Sequence, residues 1–260
     1  MPSKSVPSSA TFSVHPFPGL GIIKKGDDVG LQICQTCRET KFNLCEGDVL
    51  VVAQTVVSRA EGRIVVLSSV VPSHRARRLA AKLGKPANLV EVILRASKRI
   101  LRAEKGHLIT ETPHGFVCAN SGVDSSNVPE PDSVTLLPEN PDASAERIRQ
   151  TIKERLKVNV GIIISDTHGR PFREGAINVA IGVAGLLPMK VYIGLTDLFG
   201  YVLRSTKVAI ADELASAAEL VMGEADEGNA VVVIRGYRFE PGEGSGQTLV
   251  RDPRRDLFRR

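Results

Sequence analysis

The run 159–165, NVGIIIS, leads straight into Asp166-Thr167-His168-Gly169-Arg170. An unbroken apolar stretch this short, β-branched and bounded by polar residues, reads as a fully buried strand. It is expected to end at Asp166, placing a carboxylate and the Thr167 hydroxyl at one end of a core element. Just upstream, Asn140-Pro141 supplies a helix N-cap and a first-turn proline, and Ile148, Ile152 and Leu156 follow at four-residue spacing. Further out, DVLVVAQ (48–54) and AVVVI (230–234) repeat the buried-strand pattern. Residues 207–211 read as another strand, feeding a helix with Leu214, Ala217, Ala218 and Val221 on one face. Helices are predicted over 28–41, from the Ser73 N-cap to Gly84, and over 86–101. Strands are predicted over 107–111 and 115–119, about the turn Pro113-His114. This order lacks regular strand–helix alternation, so the expected fold class is α+β and not a doubly wound sheet.

The chain has 260 residues, 42% of them hydrophobic, which supplies ample core and excludes wholesale disorder. No apolar run is long enough to cross a bilayer, and residues 1–13, rich in Ser and Pro, lack the apolar core of a secretory signal. Three regions are expected: a flexible leader over 1–13, one domain over 14–238, and a charged Gly/Arg-rich tail over 239–260 with solvated arginines. The net charge of +5 favours an anionic partner. Aromatic residues make up 4% and no zinc-finger or RNA-recognition signature is present, so small anions are expected as ligands and nucleic acid is not. Cys34 and Cys37 form a CxxC inside a predicted helix with no second metal-binding pair. Buried packing is therefore expected ahead of zinc or redox chemistry. This cysteine usage fits a reducing, cytoplasmic location.

Polar clusters occupy three stretches: 120–127, 165–170 and 222–228. Asp166-Thr167 offers oxygen donors suited to a hard cation such as Mg²⁺ or Mn²⁺, which keeps positions open for substrate phosphates. Taken alone, Asp166 fits a turn cap as well, and Glu224 a solvated side chain. His168 is either a base beside a metal or a surface group. Two stretches suit phosphate: Pro18-Gly19-Leu20-Gly21 through backbone N–H groups, and Gln54-Thr55 with Arg59 a turn further on. GxxxxGK[ST] and GxGxxG are both missing, which excludes a P-loop and a Rossmann fingerprint.

Six stretches taken together resemble the coenzyme F420-0:L-glutamate ligase (F420-0:gamma-glutamyl ligase) family in order and spacing. They are PFPGLGIIKKGDD (16–28), GDVLVVAQTVVSRAEGR (47–63), GFVCANSGVDSSNV (115–128), IISDTHGRPFREG (163–175), AIGVAGL (180–186) and ADELASAAELVMGEAD (211–226). The resemblance runs from Val14 to Gly236. It implies mixed sheets with flanking helices, an intertwined homodimer, and a GTP-dependent ligase adding L-glutamate to coenzyme F420-0. By the same resemblance, Asp124, Asp166, Thr167 and Glu224 hold Mg²⁺ or Mn²⁺, with K⁺ a further candidate ion. Leu20, Gly21, Ile22, Ile23, Gln54, Thr55 and Asn127 match nucleotide-contacting positions. Met222, Gly223, Glu224, Ala225, Asp226, Glu227, Gly228 and Asn229 match a loop that wraps the nucleotide. Arg59 would offset phosphate charge, and no catalytic side chain is assigned.

This sequence departs from the family pattern at several positions. Arg59 stands where Lys is usual, His168 where Asn or Phe is common, and Ser121 where Ala is usual, a mild change. The 224–229 stretch lacks the usual Gly-Ile-Pro run. The departures at Arg59 and His168 leave room for a same-fold ligase acting on another carboxylate. A guanine-nucleotide- or deazaflavin-binding protein without turnover is the alternative of a different class.

Overall fold

The computed structural model describes residues 11–128 and 130–259. In chain order the elements are β1 (Ser13–Pro16), α1 (Val29–Thr40), β2 (Val49–Ala53), α2 (Gln54–Ala60), β3 (Ile64–Val66), α3 (His74–Leu83), α4 (Ala87–Arg95), β4 (Arg99–Glu104), β5 (His107–Glu111) and β6 (Val117–Ala119). Then follow β7 (Ser133–Thr135), α5 (Pro141–Leu156), β8 (Gly161–His168), β9 (Ile177–Ala184), β10 (Lys190–Val191), β11 (Lys207–Val208), α6 (Ile210–Met222) and β12 (Val231–Arg235). Of the expected leader, residues 1–10 lie outside the described residues, and Ser13 already belongs to β1.

The architecture is α+β. A five-stranded mixed sheet has the order β1-β12-β2-β8-β9, in which β2 and β8 run parallel and every other neighbouring pair antiparallel. Strand alternation sends Leu50, Val52, Ile162 and Ile164 into one core with Ile33 of α1 and Ile148 and Ile152 of α5. The intervening Val49, Val51 and Ile163 enter a second core with Leu214, Ala215 and Ala218 of α6. Burial on both faces explains why these strands read as continuous apolar runs. Cys34 and Cys37 are buried in the first core, and burial pushes both thiols up, Cys37 to about 11, as packing residues require.

A smaller lobe is built from α3, α4 and the antiparallel sheet β4-β5-β6, with Ile93, Leu108 and Val134 at its centre. Its helix α3 starts where Ser73 accepts from the Ala76 N–H and stops at Gly84 in the left-handed region. Among the described residues, no helix is long and apolar enough to cross a membrane.

The structure corrects several expected boundaries. The helix over 86–101 stops at Arg95, and Arg99 starts β4. The Lys98 N–H bonds the Glu111 carbonyl at 2.7 Å, so pairing with β5 overrides the helical spacing of Ile100 and Leu101. The strand over 207–211 is two residues long, because Ala211 lies in α6, whose first turn carries Asp212 and Glu213. On α6 the buried face is Ala211, Leu214, Ala215, Ala218 and Met222, while Ala217 and Val221 lie partly exposed at its flank. β8 does not end at Asp166: Asp166, Thr167 and His168 continue its ladder opposite Val179, Asn178 and Ile177. β9 itself was not anticipated. In the tail, Arg259 is not solvated. Its side chain is 7% exposed and pairs with Glu111 at 3.1 Å and Asp256 at 2.8 Å.

The short pair β10/β11 and the 192–206 loop between them leave Leu198 and Phe199 93% and 96% exposed, with Leu195, Tyr201 and Val202 also uncovered.

Close approach fixes one glycine. A Cβ on Gly182 of β9 would lie 2.5 Å from the Pro141 carbonyl carbon and oxygen at the start of α5. Both are backbone atoms, so neither can swing away. Gly182→Ala is expected to destabilise the protein by about 2–3 kcal/mol, and a chemical denaturation midpoint equal to wild type would contradict this packing.

Candidate functional site

The sheet register gathers the site. In the parallel pair Ala53 lies opposite Ser165, so β2 and β8 discharge their chains at one edge, where open sheets hold ligands. The antiparallel neighbour β12 begins at that same edge, with the Ala53 N–H bonded to the Ala230 carbonyl at 2.9 Å. Beside it, β1 leaves toward Leu20–Ile23 after the Phe17 N–H bonds Val231. Four segments therefore converge: 20–23, 54–59, 165–169 and 222–230. The smaller lobe closes the fifth side with Cys118, Asp124 and Asn127.

Together they enclose a cleft of about 510 Å³. Leu20, Gly21, Ile22, Ile23, Gln54, Thr55, Arg59, Asp124, Asn127, Asp166, Thr167 and Glu224 all line it. So do Met222, Gly223, Ala225, Glu227, Gly228 and Asn229; Asp226 does not. Three sequence clusters that spacing could not bring together thus share one cavity.

Each acid is held differently. Asp166 Oδ2 accepts from His168 Nε2 at 3.1 Å, with both side chains mostly buried. The Thr167 hydroxyl sits 2.8 Å from Glu224 Oε1 and 2.9 Å from Asn178 Oδ1, and its single proton serves one at a time. Asp124 is oriented by the Ser126 N–H at 2.9 Å and by the Ser126 hydroxyl. The turn before Asp124 holds Asn120 and Ser121 in the left-handed region, and Ser121 is pinned there through its hydroxyl. Ser121 Oγ lies 2.7 Å from Ser97 Oγ and 2.6 Å from Thr110 Oγ1. Because Ser97 donates to the Ile93 carbonyl, the chain of donors runs Thr110 to Ser121 to Ser97 to Ile93. Serine at 121 is therefore the middle of a buried network, not a mild replacement for Ala.

The electrostatics are unbalanced in a specific way. Burial pushes the Glu224 carboxyl up, outweighing the Thr167 hydroxyl that lowers it, and the neighbouring Glu219 and Asp166 carboxyls push it up further. Arg59 Nε is buried without a partner, and its guanidinium is held below its ordinary value by that burial. Ser165 Oγ is buried and also unpartnered. Orphaned donors and crowded carboxylates lining one cleft suit phosphate on the Arg59 side and a cation on the acidic side. Cys118 takes no part as a nucleophile: burial, then the Asp166 charge, pushes its thiol up to about 12.

The donor set fits a hard divalent ion. It is all oxygen, although among the described residues no three His, Cys, Asp or Glu side chains come together as a group that could hold a metal ion. Mg²⁺-type sites use one or two carboxylates and leave the remaining positions to water and substrate phosphate. Asn178 and Cys118 line the cleft, and Glu219 stands behind them as the acceptor of the Asn178 N–H; none of the three was picked from the sequence. Asn178 sits on the unread strand β9, and Glu219 looks from sequence like an ordinary helical surface acid.

The F420-0:gamma-glutamyl ligase family model matches residues 19–236. The chain belongs to that family. It is 48% identical over 242 residues to the coenzyme F420:L-glutamate ligase of Methanocaldococcus jannaschii, covering 92% of this chain and 94% of the relative. The enzyme of the same name from Methanothermobacter thermautotrophicus is 46% identical over 243 residues, 93% and 96% of the two chains. That of Archaeoglobus fulgidus is 44% identical over 247 residues, 95% and 96%. The stretch matched by the ligase family model contains every cleft residue named above, while the tail with Arg259 lies beyond it.

Glu224→Gln removes a charge from beside Glu219 and Asp166. The ligand-free variant is expected to melt slightly above the wild type, since burial, and after it the neighbouring carboxylates, disfavours the Glu224 charge in the folded state. A lower melting temperature in calorimetry would show instead that the ionised carboxylate stabilises the free protein.

Proposed function

We propose that this chain is a GTP- and divalent-metal-dependent ligase that joins L-glutamate to coenzyme F420-0 in F420 biosynthesis. The observation that carries this is the gathering of Arg59, whose buried Nε lacks a partner, and the carboxylates Asp124, Asp166 and Glu224 around one cleft. The names of the relatives supply the substrates, and the cleft supplies the means.

A carboxylate is a poor electrophile at neutral pH. The acceptor's terminal carboxylate oxygen attacks the γ-phosphorus of GTP, the bond to the bridging oxygen breaks, and GDP leaves. The acyl phosphate formed is then attacked by the glutamate amine, which loses a proton as phosphate departs and the amide forms. This chemistry depends on positioning and on neutralising phosphate charge. A Mg²⁺ or Mn²⁺ ion held by Asp124, Asp166, Thr167 and Glu224 would supply that neutralisation between the phosphate oxygens, with K⁺ as a further ion. Arg59 presents a desolvated fork of donors to the transferring group. Leu20–Ile23, Gln54, Thr55, Asn127 and the 222–229 segment enclose the nucleotide. His168 fixes the orientation of Asp166. The free thiols of Cys34, Cys37, Cys45 and Cys118 suit the reducing cytoplasm.

The chain works as a homodimer through the β10–β11 arm. A two-stranded ribbon is marginal in water, and apolar residues as uncovered as Leu198 and Phe199 call for a partner surface. Sedimentation of wild type is expected to give a dimer, and Leu198→Asp with Phe199→Asp a monomer. A monomeric wild type would refute the arm's role.

Purified protein, glutamate-free deazaflavin precursor, L-glutamate, GTP and Mn²⁺ or Mg²⁺ are expected to yield glutamylated product and GDP by mass spectrometry. Asp166→Ala and Asp124→Ala are each expected to lower the rate at least about 1,000-fold with the circular dichroism spectrum unchanged. Near-normal rates in both would remove the metal assignment, and GTP hydrolysis without glutamylation would mean a different acceptor.

A further inference from the structure

The cleft as described binds nucleotide and cation, and leaves the acceptor without a seat. Immediately past Gly169 the chain turns through 170–175. Residues 171–176 are all exposed, and Phe172 is 88% exposed. Phe172 also has a φ of 63°, a left-handed conformation that costs energy for a bulky residue. The turn is nevertheless braced, since Arg170 Nη2 donates to the carbonyls of Glu174 at 3.1 Å and Gly175 at 3.3 Å. From the tail, Phe258 comes to meet it. The two rings lie 5.6 Å apart between centroids at 59°, and Phe258 is itself 64% exposed. Arg170 Nε is buried and lacks a partner, and Arg173 stands exposed next to Phe172. Gly169 lines the cleft, and at most about 11 Å of extended chain separates it from Phe172.

We propose that Phe172 and Phe258, with Arg170 and Arg173, form the docking platform for the acceptor, a planar deazaflavin with an anionic arm. The inference rests on the ligase reading and assigns that reading's second substrate a place. The ring lies against the aromatic pair, the arginines draw its anionic arm, and the terminal carboxylate reaches the Asp166–His168 end of the cleft. Two rings flanked by cations match one planar anion better than a protein face, which needs about 800 Å² per partner. Exposed aromatic faces beside guanidinium groups are the arrangement that holds stacked heteroaromatic rings.

The chain contains no Trp, so the deazaflavin's own fluorescence can be followed on a quiet protein background. The full chain is titrated into glutamate-free deazaflavin precursor, and separately into a fluorescent GTP analogue. Phe172→Ala is expected to weaken precursor binding about tenfold or more, with Phe172→Trp close to wild type. Arg173→Gln is expected to weaken it several-fold, with a loss that shrinks at high salt. Affinity for the GTP analogue stays unchanged in all three.

Precursor binding by Phe172→Ala within about twofold of wild type overturns the platform and leaves the ligase reading intact. A wild type that binds the GTP analogue but not the precursor defeats both together. If Phe172→Ala instead shifts the sedimentation coefficient, Phe172 belongs to a protein interface and the platform is wrong.

Discussion

Ala53 opposite Ser165 in the parallel pair of β2 and β8 is the contact from which the site is assembled. Parallel pairing forces two strands to leave the sheet on the same side, and the register decides which residues leave together. Here it sets Gln54 beside Asp166. The antiparallel strands on either flank then contribute what precedes or follows them at that edge: the 222–230 segment ahead of β12 and Asn178 near the start of β9. A one-residue slip of β8 would invert its alternation, moving Ile163 out of the α6 core and turning Asp166 away from the cleft. The packing of the two cores and the position of the chemistry are thus one constraint.

Charge in the cleft is arranged by exclusion as much as by attraction. Elsewhere in the molecule buried ions are matched, as where Asp48 takes two bonds from Arg235, or where Glu111 collects Lys98, Arg99 and Arg259. In the cleft the matching fails in both senses. Arg59 Nε has no hydrogen-bond partner, Glu130 reaching it through charge alone, and Glu224 has acids for neighbours. Groups left unbalanced at the same place are those whose partner is a ligand. The smaller lobe contributes rigidity there through the Thr110–Ser121–Ser97 donor chain, which holds the turn leading to Asp124.

Much of this was legible in the sequence. Buried strands such as 48–54 and 230–234 announce themselves because a run of Val and Ile fits nothing else at that length. Caps at Ser73 and Asn140 did the same for helices. The α+β class followed from element order, and family resemblance named more than half of the residues that line the cleft. Failures share a cause, which is that tertiary pairing overrode local pattern. Ile100 and Leu101 carry a helical period, yet β5 captured them as a strand. INVAIGVA (177–184) alternates too weakly to declare itself, so β9 and with it Asn178 were missed. Arg259 looked like a solvated tail residue because nothing local indicates that Glu111, 148 positions earlier, would receive it.

The continuation of β8 through Asp166, Thr167 and His168 has a consequence for motion. Residues in a ladder exchange their amide hydrogens only when the ladder opens, which ties them to the slowest openings of the molecule. The wall of the cleft formed by 165–168 is therefore held by strand pairing with β9. The 20–23 and 223–230 walls carry no ladder, so their amides are expected to exchange faster, and the cleft joins one wall fixed by strand pairing to two made of loop backbone.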